Sequence, residues 1–281
     1  MSEASHPRPA WLPPPDGSRD PRVDDPTNVR IVHLAARMLL PLALRLGISA
    51  NAVSIAGFAV GTGAALAFLG WRDPGLATLG LLLCVGWLIL DGLDGMVARA
   101  TGTASALGRF LDGLCDHGVF LLLYLALGAA IDTPEAWLTG TLAGLVHGVQ
   151  ANFYESERLR YHRRLRGDPG DSPRPPSPHW IVRGYDRLAG ALDRLAGRFD
   201  RALAAAPERR AFAEAYAEAA APPLRLMNLL SANMRVLALY AACLAGDPML
   251  WWWWELGPLT AVTLAGVVWL RRVERRMAGN S

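Results

Sequence analysis

Long, almost uncharged apolar runs restrict this chain more than any other feature of its sequence. A helix needs about 20 residues to cross a hydrocarbon core. Six stretches reach or approach that length, near residues 50–70, 75–98, 107–131, 134–154, 222–245 and 248–270. Inside lipid the backbone polar groups of such a run must be satisfied within the run itself, which selects helix. The expected fold is an all-α integral membrane protein with six transmembrane helices, and a hydrophobic content of 52% agrees with it.

The basic residues orient these helices. No lysine occurs, so all 28 Lys+Arg positions are arginine. The loop near Trp71 contributes only Arg72, and the turns after Ile131 and at Gly246 contribute none. Arg30, Arg37, Arg45, Arg99, Arg109, the set from Arg158 to Arg210, and Arg271, Arg272, Arg275 and Arg276 all fall on the other side. The positive-inside rule then puts both chain termini in the cytoplasm, as an even number of spans requires. A formal charge of +3 gives no reason to expect nucleic acid as a partner. Cys84, Cys115 and Cys243 stand singly in apolar runs, without the pairing of a disulfide framework or a zinc site.

Around the spans the sequence divides further. Residues 1–26 are polar, lack the apolar core of a signal peptide and read as a flexible cytoplasmic tail. Over 27–47, Ile31, Leu34, Met38, Leu39, Leu42 and Leu46 recur at helical spacing between Arg30, His33, Arg37 and Arg45. That pattern predicts an amphipathic helix in the cytoplasmic interface. Spans one to four occupy 48–154. A polar cytoplasmic insertion follows over 155–221, broken by prolines at 172–178, with helical patterns near 180–205 and 208–219. Spans five and six and a basic end fill 222–281, and Trp251 to Trp254 are expected to anchor the last span at the outer interface.

The chemistry concentrates in DGLDGMVARATGTASALGRFLDGLCDHG, Asp91 to Gly118. Separations of three, four and seven residues return to one helical face, so Asp91, Asp94, Gly95 and Ala98 share a face. Gly108, Asp112 and Asp116, at intervals of four, define a second. If two antiparallel helices bring these faces together, four carboxylates meet near the cytoplasmic end of the bundle. Each acid within a span costs roughly 2.5 to 3.5 kcal/mol on insertion scales and needs compensation. Divalent cations supply it, and an all-oxygen set selects Mg²⁺, Mn²⁺ or Ca²⁺ over zinc. Two ions bridged by shared carboxylates would be able to clamp a pyrophosphate. Gly95 and Gly108 suit either close approach of a nucleotide or close helix packing.

Asp91, Asp94-Gly95, Ala98-Arg99, Gly108, Asp112 and Asp116 resemble the signature of the CDP-alcohol phosphotransferase family, with all eight positions filled. Six spans with cytoplasmic ends and an amphipathic N-terminal helix also resemble that family's bacterial type. The resemblance implies that Asp91, Asp94, Asp112 and Asp116 bind two Mg²⁺ or Mn²⁺ ions. It also implies that Asp116 is the catalytic base on an acceptor hydroxyl, and that CMP leaves. A nucleotide site of Asn51, Asp94, Gly95, Ala98, Arg99, Gly108 and Asp112 follows, although Ala50 stands where the family usually has proline, and Arg99 serves equally well as a topology-setting charge. The implied reaction moves a phosphatidyl group from a CDP-alcohol, CDP-diacylglycerol being the expected donor, to an alcohol acceptor. The implied setting is the bacterial inner membrane, with the active site toward the cytoplasm, membrane lipids as partners and a homodimer left open.

Acceptor recognition is expected from polar groups in and after the fourth span, Gln150, Tyr154 and Arg158, and from Asn228, Ser231 and Arg235 in the fifth. Arg158, Arg160, Arg163 and Arg164 suit an anionic acceptor, or equally the anionic lipid heads of the cytoplasmic leaflet. His117 points about 100° away from Asp116 and has no expected catalytic role. The competing reading of the aspartates is the ion path of a divalent-cation transporter. An inactive structural remnant is a third.

Overall fold

A computed structural model of the chain describes residues 20–104, 106–168 and 197–279; within these, the side chains of 106, 107 and 109–112 are not described. All regular structure among the described residues is helical. A short π-helical turn, Asn28–Val32, leads into α1 (His33–Arg45), followed by α2 (Ala50–Leu69), α3 (Pro74–Thr101), α4 (Ala106–Ile131), α5 (Pro134–Leu165), a helical stretch α6 at 197–205, α7 (Arg209–Met227), α8 (Ala232–Leu244), α9 (Met249–Trp254) and α10 (Thr260–Gly279). The starts are set by caps that satisfy first-turn N–H groups. Ser49 accepts from Ala52 N–H at 3.2 Å, Asp73 from Gly75 and Leu76 N–H at 2.7 and 3.2 Å, and Thr133 from Ala136 N–H at 3.1 Å.

Among the described residues, four helical segments are long and apolar enough to cross a membrane: Ala50–Leu69, Pro74–Thr101, Gly113–Ile131 and Met249–Gly279. A fifth run qualifies only as α7 and α8 together, interrupted at Ser231. The chain is thus an integral membrane protein, and by length and composition four or five of the six expected spans qualify among the described residues. The expected span at 134–154 does not qualify, because α5 mixes its apolar residues with His147, Gln150, Asn152 and Glu155 and runs on to Leu165 as one polar-ended helix. Likewise the expected boundary at 221/222 falls inside α7, which continues through Pro222 and Pro223.

The chain forms two compact units, Met1–Gly148 with Ser231–Pro258, and Val149–Leu230 with Leu259–Ser281. In the first unit α2 packs against both α3 and α4. A Cβ on Gly61 would overlap Val119 of α4, so glycine there permits the close approach. The core around this contact includes Phe68, Trp87, Leu123 and Leu127. Trp87 meets Phe120 edge-on at 5.4 Å, and Tyr124 stacks on Trp251 at 4.5 Å. Trp251 and Trp252 are fully buried, while Trp253 is exposed. The expected tryptophan anchor therefore divides, since consecutive helical residues point in different directions and four in a row cannot all face lipid.

Helix α1 also differs from a simple surface helix. Its alanines Ala36 and Ala43 pack with Val53 and with Leu93, Met96 and Val97 of α3, while Ile31, Met38, Leu39, Leu42 and Leu46 at its outer side remain exposed. Of the expected flexible tail, residues 1–19 lie outside the described residues, while Asp20, Val23, Asp24 and Asp25 are buried.

The second unit is built on charge. Arg164 of α5, fully buried, donates to Asp200 of α6 at 2.7 Å, to Tyr216 Oη of α7 at 3.1 Å and to Glu274 of α10 at 2.5 Å. Its guanidinium also lies 4.5 Å from the Phe199 ring centre. Burial opposes the charge, but Tyr216, Glu274 and Asp200 outweigh it and raise the Arg164 pKa above its ordinary value. Arg271 pairs with Glu274 and Glu157, and Glu157 also accepts from Arg160 at 2.7 Å. The helical pattern expected near 180–205 is seen at 197–205, its earlier part lying outside the described residues. Replacing Arg164 with methionine would leave Glu274 and Asp200 short of a buried partner. Arg164→Met is expected to destabilise the fold by about 3–5 kcal/mol, read as a lowered melting temperature in detergent, with no change if the network were dispensable.

Candidate active site on helices α3 and α4

All eight signature positions fall in the first unit, on the last turns of α3 and the first half of α4. Helix α3 stops just beyond Arg99 because Gly102 adopts φ +67, a left-handed conformation natural to glycine. Gly102 N–H then bonds the Ala98 and Arg99 carbonyls, and Thr103 N–H bonds the Ala98 carbonyl at 3.0 Å. This closure fixes where α3 ends relative to Asp91 and Asp94.

Asp94 is buried, and its carboxylate accepts a short hydrogen bond from the Ser54 hydroxyl of α2. Asp91, on the same face, is half-buried, as is Asp116 on α4. The Arg99 guanidinium folds back over Gly95, its Nη1 3.2 Å from where a Cβ would stand. Ala98 and Gly108 are half-buried, and Asn51 is exposed on the first turn of α2. His117 is exposed and bonds the Gly113 carbonyl at 2.7 Å. The Asp112 side chain lies outside the described residues. Among the described residues no three His, Cys, Asp or Glu side chains gather closely enough to hold a metal. The donors themselves fit a hard divalent cation: they are carboxylate oxygens, and Asp94 carries the kind of outer hydrogen bond that orients a ligand.

Ser54 is the partner that sequence reasoning missed. Its signal was present, a hydroxyl three residues after Asn51 on the same helical face, but its bond reaches across 40 residues.

The residues expected to recognise an acceptor fall in both units. In the second unit Gln150 donates to Thr260 at 3.0 Å, Tyr154 donates to Asn228 at 2.9 Å and Arg158 pairs with Glu155 at 3.1 Å. In the first unit Ser231 donates to Asp25 at 3.0 Å, and the buried Arg235 pairs with the buried Glu255 and meets His147 Nδ1 at 2.9 Å. Tyr124 Oη lies 3.4 Å from the same His147 nitrogen. Arg235 is therefore tied into the packed core. An arginine in one apolar run and a glutamate in another are each costly alone, which is the sequence signal for this pair.

The sequence family CDP-alcohol phosphatidyltransferase matches residues 47–162, an interval that includes every signature position. An archaetidylinositol phosphate synthase of Pyrococcus horikoshii is 38% identical over 96 residues, covering 34% of this chain and 49% of that protein. The chain thus spans about half the length of this curated relative. No solved structure matches.

Removing the Ser54 hydroxyl leaves Asp94 without that orienting bond. Ser54→Ala is expected to weaken Mn²⁺ binding about tenfold, the scale of losing an outer-shell partner. Mn²⁺ titration followed by electron paramagnetic resonance would read it, and unchanged affinity would remove Ser54 from the site.

Proposed function

We propose, from the match of residues 47–162 to the CDP-alcohol phosphatidyltransferase family, that this membrane protein transfers a substituted phosphate from a CDP-alcohol to an acceptor hydroxyl and releases CMP. CDP-diacylglycerol is the donor we assign. The observation that carries the reading is the buried Asp94, held by Ser54, with Asp91 on the same face of α3 and the complete signature inside the matched interval.

Asp91, Asp94, Asp112 and Asp116 are the residues we assign to two Mg²⁺ or Mn²⁺ ions. When bound, these would neutralise the pyrophosphate and stabilise charge on the departing phosphate oxygen. The chain's residues do the rest. Gly95 and Ala98 are the small residues of α3 that we assign to the cytidine pocket, with Asn51 and Gly108. Arg99 offers a guanidinium above Gly95, suited to phosphate oxygens. Asp116 takes the proton from the acceptor hydroxyl, whose oxygen bonds to phosphorus as the bond to the CMP oxygen breaks. A carboxylate beside cations is a weak base, so the hydroxyl must itself be acidified by its surroundings.

Arginine placement supports cytoplasmic termini and an active site toward the cytoplasm of a bacterial inner membrane. The relative's name points to an inositol phosphate as the first acceptor to try.

The test is CMP release by purified protein in lipid nanodiscs with CDP-diacylglycerol, Mg²⁺ or Mn²⁺, and a panel of inositol phosphate, glycerol phosphate, serine and inositol. Metal-dependent CMP release with one acceptor is expected, and Asp116→Asn should reduce kcat by about 10²–10⁴. Absence of metal-dependent CMP from every acceptor would contradict the reading.

A further inference from the structure

The polar segment before α1 is fastened to the start of α8. The Asp25 carboxylate accepts from Thr27 N–H and Thr27 Oγ1, each at 2.9 Å, and from Ser231 Oγ at 3.0 Å. Asn233 Nδ2 donates to Thr27 Oγ1 at 3.0 Å. Asp25 is 3% exposed, and Ser231 and Asn233 are 7% exposed. This is a buried latch between residues 206 positions apart, not a surface contact. Ser231 has a second task, because its Oγ caps α8 by accepting from Met234 N–H at 3.3 Å. The same side chain therefore begins α8 and receives the strap.

From the latch the packing runs without a gap to the candidate site, all of it within the first unit. The π-helical turn Asn28–Val32 packs on α3, and Val32 joins the core that contains Trp87 and Leu88. Next, Ala36 Cβ lies 3.6 Å from where a Cβ of Gly92 would be, directly between Asp91 and Leu93. Ala36 and Ala43 complete a cluster with Leu93, Met96 and Val97 on the turns that carry Asp94 and Gly95. Adhesion alone would be served better by apolar residues, because burying a carboxylate carries a desolvation cost. What a carboxylate with three donors adds is a fixed register.

We infer that Asp25 is a positioning residue. By holding Thr27 and the start of α8, it sets residues 28–45 against α3 and so fixes Asp91 and Asp94 for metal and donor. The inference rests on the transferase reading above.

The experiment uses the full chain in nanodiscs, comparing the wild type with Asp25→Ala, with the milder Thr27→Val, which leaves the Asp25–Ser231 bond in place, and with the exchange Asp25→Ser/Ser231→Asp. The exchange keeps one hydroxyl and one carboxylate facing each other and puts a favourable N-cap residue on α8. Two readouts are taken: kcat and KM for CDP-diacylglycerol with the metal concentration at half-maximal rate, and hydrogen exchange of amides 28–45 and 91–99. Asp25→Ala is expected to raise donor KM and half-saturating metal on the order of tenfold, the scale of a lost hydrogen bond to a charged group. Saturated kcat should stay within about twofold, exchange should rise in both segments, and the paired exchange should restore both readouts. Thr27→Val should shift them in the same direction by less, and serves if Asp25→Ala does not fold. Looser exchange over 28–45 with unaltered donor KM and metal requirement would overturn the inference, leaving the latch merely structural. If the wild type forms no CMP, the transferase reading fails by itself. Hydrogen exchange then decides, and unaltered exchange at 91–99 in both single variants overturns the positioning role.

Discussion

The close approach of α2 to α3 and α4 is the constraint on which the first unit depends. Lipid offers no hydrophobic drive for helices to associate, so contact has to come from packing, and packing needs small residues where backbones meet. Gly61 meets Val119, and Phe58 Cε2 lies 2.8 Å from where a Cβ of Gly118 would stand. Gly118 is two residues beyond Asp116, and Ser54 is one turn before Phe58. The surface of α2 that draws the two aspartate-bearing helices together is thus continuous with the surface that supplies a hydrogen bond to Asp94.

Buried charge is handled differently in the two units. In the first, Arg235, Glu255 and His147 form a small polar knot in an aromatic surround that includes Phe120, 4.3 Å from His147. In the second, arginines and carboxylates from α5, α6 and α10, with the Tyr216 hydroxyl of α7, form a larger set around Arg164 and Arg271. Both arrangements lose more from removal of one partner than they gain over an apolar core, so they specify geometry more than they add stability. They also change the meaning of the arginine-rich run after α5. Arg158, Arg160, Arg163 and Arg164 each have a carboxylate within ion-pairing distance, so this run helps to assemble its own unit.

The polar segment ahead of α1 joins these two themes. It is hydrophilic in composition, yet Asp20, Asp24 and Asp25 are buried by bonds that include Thr27, Ser231 and Arg22. Its position explains why the chain can break at Ser231 between α7 and α8. The residue that interrupts the helix caps α8 by accepting from Met234 N–H and donates to Asp25, so its hydroxyl is satisfied without a continuous helix.

What the sequence determined by itself was whatever depends on consecutive residues. Helix period put Asp91, Asp94, Gly95 and Ala98 on one face, and apolar length marked α2, α3, α4 and the last helix as spans. These features are legible because spacing and hydropathy are local properties of the chain. Tertiary structure alone decided the partners: Ser54 for Asp94 across 40 residues, Glu274 for Arg164 across 110, and Ser231 for Asp25 across 206. It also decided which tryptophans of Trp251–Trp254 are buried and that the expected acceptor residues divide between two units. The physical reason is the same in each case. A buried polar group must find a complementary group, and which one it finds depends on how helices pack in space rather than on any pattern along the chain.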